Sequence, residues 1–139
     1  MRKGIKVFCL LLCVGLAGCR GKSAEAPIPP EDANRKNPIE ATPASIDDGK
    51  RSYDLADCAM CHGKQGDGKG VLAKDTNMNT RNWQDPATLA HFSDGELSYI
   101  VVKGKGRMPG YENRKSADEI WKMIVYIRSL SGNQPSPRS

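Results

Sequence analysis

Residues 58–62 read Cys-Ala-Met-Cys-His, and no other short stretch constrains the chain so tightly. Two cysteines three apart at the end of a helix face the same way. Each thiol can add to one vinyl group of a haem, and the histidine that follows brings its imidazole to the iron. The C-x-x-C-H spacing therefore reads as a c-type haem attachment site, with Cys58 and Cys61 as thioether residues and His62 as an iron ligand. A structural zinc site usually needs four ligands, often from a second matching pair. Beyond residue 19 the chain has no second C-x-x-C and only one other histidine, His91. A thioredoxin-like redox pair should sit near a βαβ pattern, and no stretch alternates like a strand. A Cys58–Cys61 disulfide stays open in an oxidising compartment.

The N-terminus bears on that compartment. Residues 1–6 are basic, and Val7 to Ala17 form an apolar run of eleven residues. A membrane-spanning helix needs roughly 17–25 such residues, whereas a basic segment before an apolar run of ~7–15 is a secretion signal. Leu16-Ala17-Gly18-Cys19 resembles the bacterial lipobox. That resemblance implies a signal over residues 1–18 and a lipidated Cys19 as the first mature residue. It implies an exported protein, anchored on the periplasmic side of a membrane. An ordinary signal peptide with an incidental cysteine is the plainer alternative. Losing Arg2, Lys3 and Lys6 takes the formal net charge from +5 to +2, too little to suggest nucleic acid binding. Gly21-Lys22-Ser23 lacks the earlier glycine of a phosphate-binding loop, and Gly66-x-Gly68-x-Gly70 is not the dinucleotide fingerprint.

Residues 19–44 carry five prolines and no sustained apolar period. They are expected to be a disordered tether, since such a stretch buries too little to offset its ordering entropy. As extended polyproline it would reach at most about 75 Å. Residues 45–131 are expected to fold, and 132–139 to form a flexible tail. Ser45 can cap a first helix through Ile46, Gly49, Tyr53 and Leu55. Ser93-x-x-Glu96 and Ser116-x-x-Glu119 are capping boxes that open two more. In the last, Ile120, Met123, Ile124 and Ile127 repeat at helical spacing, and Arg128 favours its C-terminus. The expectation is an all-α domain of three or more helices with long loops. So small a core would be marginal unless a prosthetic group filled it.

Taken together, residues 45–131 resemble the class I (mitochondrial-type) c-type cytochromes. The features in the family order are a glycine-bearing first helix, C-x-x-C-H, the Gly66-Asp67-Gly68 loop, Met108-Pro109 and a C-terminal helix with aromatics. The resemblance implies the small cytochrome c fold around one covalent haem c, with iron held by a histidine and a methionine. Gly106-Arg107-Met108-Pro109-Gly110 looks like the ligand loop and makes Met108 the expected second ligand. Met78 is the rival in a polar loop. Met60 is constrained within the attachment motif, Met123 belongs to a core stripe, and His91 reads as a helix-entry residue. The resemblance also brings Gly49 and Tyr53 onto the last helix near Met123 and Tyr126. It puts Trp121 near the haem, and Arg81, Asn82 and Trp83 near its propionates. The family often takes the histidine N–H on a proline carbonyl after the glycine-rich loop, and this chain has no proline there.

Lys103, Lys105, Arg107, Arg114 and Lys115 gather about Met108, opposed by Glu112. They read either as a solvated loop or as a basic rim that steers acidic redox partners. A thioether is a soft ligand that favours reduced iron, and a filled sixth position leaves no place for peroxide or oxygen. The expected function is therefore single-electron transfer between a donor and an acceptor protein, without catalysis. Alternatives are a fixed cytochrome subunit of a larger respiratory or dehydrogenase complex, a haem-based ligand sensor and, last, a peroxidase.

Overall fold

Three helices begin on reciprocal capping boxes, and these fix the frame. The computed structural model describes residues 26–132. Ser93 caps α6 (Asp94–Lys103) and Ser116 caps α7 (Ala117–Ser129), each with a glutamate returning the bond three residues on. The box that opens α2 (Pro43–Leu55) is made by Thr42, not Ser45. Pro43 supplies a first helical residue with no N–H to satisfy, and Ser45 becomes the partner that bonds back to Thr42. Four short helices complete the order: α1 (Pro30–Ala33), α3 (Cys58–His62), α4 (Val71–Asp75) and α5 (Pro86–Ala90). No strand occurs among the described residues. An isolated bridge joins Lys105 and Met108.

The main packing is α2 against α7. They cross at Gly49, where a Cβ atom would stand 2.0 Å from the Lys122 carbonyl oxygen and 3.0 Å from the Tyr126 Cβ. Just beyond, the Tyr53 and Tyr126 rings meet edge to face at 5.3 Å. The expected contact of Gly49 and Tyr53 with the last helix is thus observed. Helix α7 buries more than its periodic stripe, with Trp121 and Val125 also enclosed. Its end is tied down by Arg128. The guanidinium donates to the Asp94 carboxylate at 2.8 Å and to the carbonyls of Leu89 and Phe92 at 2.9 and 2.6 Å.

The expected tether needs correction. From about Pro29 onward the segment is built into the domain. Gly95 of α6 sits so close to it that a Cβ would meet the Asp32 carbonyl at 2.1 Å. Ser93 Oγ donates to the Ala33 carbonyl at 2.5 Å, and Asn37 Nδ2 donates to the Trp121 carbonyl at 3.0 Å. The Arg35 guanidinium lies 5.2 Å from the Trp121 ring centre. These are polar and stacking anchors between backbone carbonyls and single side chains, so apolar periodicity gave no sign of them. The expected signal, Cys19 and the last residues of the tail lie outside the described residues. No described helix is long and apolar enough to cross a membrane.

Candidate haem site

Helix α2 stops at Leu55, and Asp57 takes a left-handed conformation (φ 57°). That reversal starts α3, a single turn holding Cys58, Cys61 and His62. The glycine-rich loop then folds back on it. Gly68 N donates to the His62 carbonyl at 2.8 Å and Gly70 N to the Cys61 carbonyl at 3.2 Å. Gly70 has no room for a side chain, because a Cβ would lie 2.2 Å from the Met60 carbonyl. Two buried tyrosines brace the turn from behind. Tyr53 Oη donates to the Gly63 carbonyl at 2.9 Å, and Tyr111 Oη to the Ala56 carbonyl at 2.7 Å.

Cys58, Cys61 and His62 open onto a cavity of about 840 Å³. Met108 and Pro109 also line it, and Leu97, Val101, Met123 and Ile127 add apolar lining. Trp83 stacks on His62 with ring centres 5.4 Å apart, and Phe92 meets Trp83 edge-on. Arg81 lines the cavity and lays its guanidinium 4.6 Å from the Phe92 ring centre. Trp83 and Arg81 thus line the cavity, but Trp121 does not. It is buried in the core yet absent from the cavity wall. Helical geometry explains this: Met123 and Ile127 lie one turn apart and face the cavity, and Trp121, two residues before Met123, points away from them. His91 caps the end of α5, is exposed, and does not reach the cavity.

The residues fit a haem. His62 is the one imidazole on the cavity wall, and its Nδ1 is buried without a hydrogen-bond partner. Burial pushes its pKa below the ordinary histidine value, partly opposed by the Arg81 backbone carbonyl, which faces the ring. A neutral imidazole is the form that binds a metal. The Arg81 carbonyl favours a proton on the ring, yet no hydrogen bond joins it to Nδ1. Sequence reasoning missed this carbonyl because a backbone acceptor leaves no mark on residue type. Burial pushes the Cys58 thiol up to about 11. A redox-active dithiol needs the opposite shift, so the thioredoxin-like reading loses its support.

Two methionines compete as the second ligand, since Met78 and Met108 both line the cavity. They differ in packing: Met108 rests against the hydrophobic core. Its loop is also the more tightly set. Met108 N donates to the Lys105 carbonyl at 2.9 Å and Lys105 N to the Met108 carbonyl at 3.0 Å. Gly104 (φ 79°) lets this turn close, as a Cβ there would meet the Met108 carbonyl at 2.5 Å.

The family model for "Cytochrome C oxidase, cbb3-type, subunit III" matches residues 44–127. The chain belongs to this family and is a class I monohaem cytochrome c. Its cofactor is haem c, covalently bound, with its iron. The cytochrome is 29% identical over 84 residues to cytochrome c-555 of Methylococcus capsulatus, a match covering 60% of each protein. It is 31% identical over 77 residues to cytochrome c6 of Diacronema lutheri, covering 54% of this chain and 84% of that protein. Among solved structures, a chain of the reducing HAO-like protein complex of Kuenenia stuttgartiensis shares the fold. The TM-score is 0.59 at 24% identity, with 76% of this chain and 51% of that chain covered. The cytochrome thus spans about 60% of the length of its c-555 relative and half that of the structural neighbour.

Proposed function

We propose that this cytochrome is an exported single-electron carrier, anchored to a membrane through a lipid on Cys19, with His62 and Met108 as the axial ligands of its haem iron. The observation that carries this reading is one shared cavity lined by Cys58, Cys61, His62 and Met108, with Met108 packed on the core. Bound there, haem c supplies a one-electron couple. The chain's own part is to hold a neutral imidazole, offer a thioether and keep the surroundings apolar. Arg81 supplies a backbone carbonyl facing the His62 ring and a positive charge at the cavity wall. Carriers of this kind convert no substrate, in keeping with the cytochromes to which the chain is similar.

Lys105, Arg107 and Arg114 also line the cavity, with Asp57 as the acidic residue among them. Lys103 pairs with Glu112 at 2.5 Å and Lys115 with Glu119 at 3.0 Å. The rim stays net basic, which favours a donor or acceptor with an acidic docking face.

A second reading, a fixed subunit of a larger redox complex, is favoured by the family's description and by the complex that contains the structural neighbour. Extraction in mild detergent separates the two, because a carrier migrates alone and a subunit with its partners. Oxidised and reduced optical spectra test the ligation. A weak methionine–iron band near about 695 nm in the oxidised protein, lost in Met108→Ala, is the expected outcome. A high-spin wild-type spectrum, or a band that survives the substitution, overturns the Met108 assignment and brings ligand sensing forward. Carbon monoxide binding to the reduced protein at neutral pH would then be its mark. Radiolabelled lipid on the wild type but not on Cys19→Ser tests the anchor.

A further inference from the structure

Residues 104–115 carry the proposed sixth ligand, yet none of them lies in a helix. Their backbone is fastened to the end of α6. Tyr111 N donates to the carbonyls of Val101 and Val102, both at 3.0 Å, and Glu112 N to Val102 at 3.1 Å. Gly110 fits so closely there that a Cβ would meet the Val102 carbonyl at 2.7 Å. These bonds hold the loop to α6, and none of them sets its distance from the cysteine-bearing turn. Two side chains do cross to the other half. Arg107 Nη1 reaches the Thr76 carbonyl at an exposed 3.4 Å, and Tyr111 Oη donates to the Ala56 carbonyl at a buried 2.7 Å.

The Tyr111 link joins a point three residues past Met108 to a point two residues before Cys58. Both lever arms are short, and the ring itself lines the cavity. The Ala56 carbonyl has one other neighbouring donor, the Cys58 thiol at 4.0 Å. A thioether has no S–H, so haem attachment removes that donor and leaves the carbonyl to Tyr111. We propose that Tyr111 is a positioning residue: its hydroxyl clamps the Met108 loop to the start of the attachment turn and so keeps the methionine on the iron. This rests on the Met108 ligation proposed above.

The experiment compares three holoproteins, wild type, Tyr111→Phe and Tyr53→Phe. Tyr53 makes a bond of similar length, but to the Gly63 carbonyl beside His62. Each oxidised protein is titrated with imidazole, which displaces a methionine ligand, and its melting is followed by far-ultraviolet circular dichroism. Tyr111→Phe is expected to bind imidazole about fivefold more tightly, the scale of one net hydrogen bond. Tyr53→Phe should lower melting comparably and leave imidazole affinity within about twofold of wild type. Equal gains in imidazole affinity in both variants, or none in Tyr111→Phe, overturn the proposal. Amide hydrogen exchange across 104–110 gives a reading that does not depend on the iron ligand. It should rise in Tyr111→Phe and not in Tyr53→Phe, and no rise overturns the clamp. If the wild type lacks the methionine band while exchange still rises, the Met108 assignment has failed and the clamp stands as a loop anchor. The claim that it acts on the ligand is then rejected.

Discussion

The cysteine-bearing wall of the haem cavity is a helical turn braced from behind by two long helices, whereas the Met108 wall is a loop hung from the end of one. On the first side, Tyr53 and Tyr126 reach the carbonyls of Gly63 and Lys64, and the glycine loop bonds back to Cys61 and His62. On the second, the backbone bonds run to the end of α6, and a Cβ on Gly106 would meet nothing within 4 Å. Stability is therefore uneven across one site. Local opening should begin on the methionine side, whose backbone is fastened to one helix end only. The methionine proposed as iron ligand then sits on the part of the fold most able to release it.

The contrast can be broken most severely at the helix crossing. Gly49→Ala puts a methyl group against the Lys122 carbonyl, and both helices must shift to admit it. A loss of about 3 kcal/mol is expected from such overpacking, read as a lower guanidinium midpoint with both walls affected together. A midpoint near wild type would mean that the braced wall is looser than described. Arg128→Ala is the next largest. It removes a half-buried ion pair with Asp94 and two carbonyl bonds that fix Phe92 and Leu89 beside the cavity. About 2 kcal/mol is expected, again by denaturant unfolding, with the methionine band unchanged at low temperature. The smallest effect comes from acid. Hydrogen bonds from Ser116 and Lys115 hold the Glu119 carboxyl at about 2, below its ordinary 4.5. A depressed carboxylate adds stability above its unfolded value and loses it as the pH falls toward its folded one. The junction between the Met108 loop and α7 should thus weaken between about pH 4.5 and 2. Water screens this exposed group, so the effect is small. Thermal melting at pH 5 and pH 3 should differ less in Glu119→Gln than in wild type.

Much of this arrangement could be read before any coordinates. The C-x-x-C-H spacing, the boxes at Ser93 and Ser116, and the glycine at position 49 each impose a local geometry through residue type. What escaped notice was fixed by groups that every residue carries. The Ala56, Ala33 and Trp121 carbonyls are acceptors whose partners lie far along the chain, and no periodicity announces them. Trp121 was misplaced for a different reason. The family resemblance assigned it to the haem, whereas its position two residues from Met123 turns it to the opposite side of α7. Ser45 was a sound cap by type, but Thr42 with Pro43 after it made a better one.

The segment laid across α6 and α7 has a consequence for reach. In the lipid-anchored form proposed above, ten peptide steps separate Cys19 from Pro29, about 35 Å at full extension. A free tether running to residue 44 would have allowed roughly two and a half times that. The cytochrome would then patrol a thin layer over the bilayer, where encounters are nearly two-dimensional and local concentration replaces long-range search. Its redox partners would be those whose docking faces stand within that layer, and membrane residence would become a selector alongside surface charge.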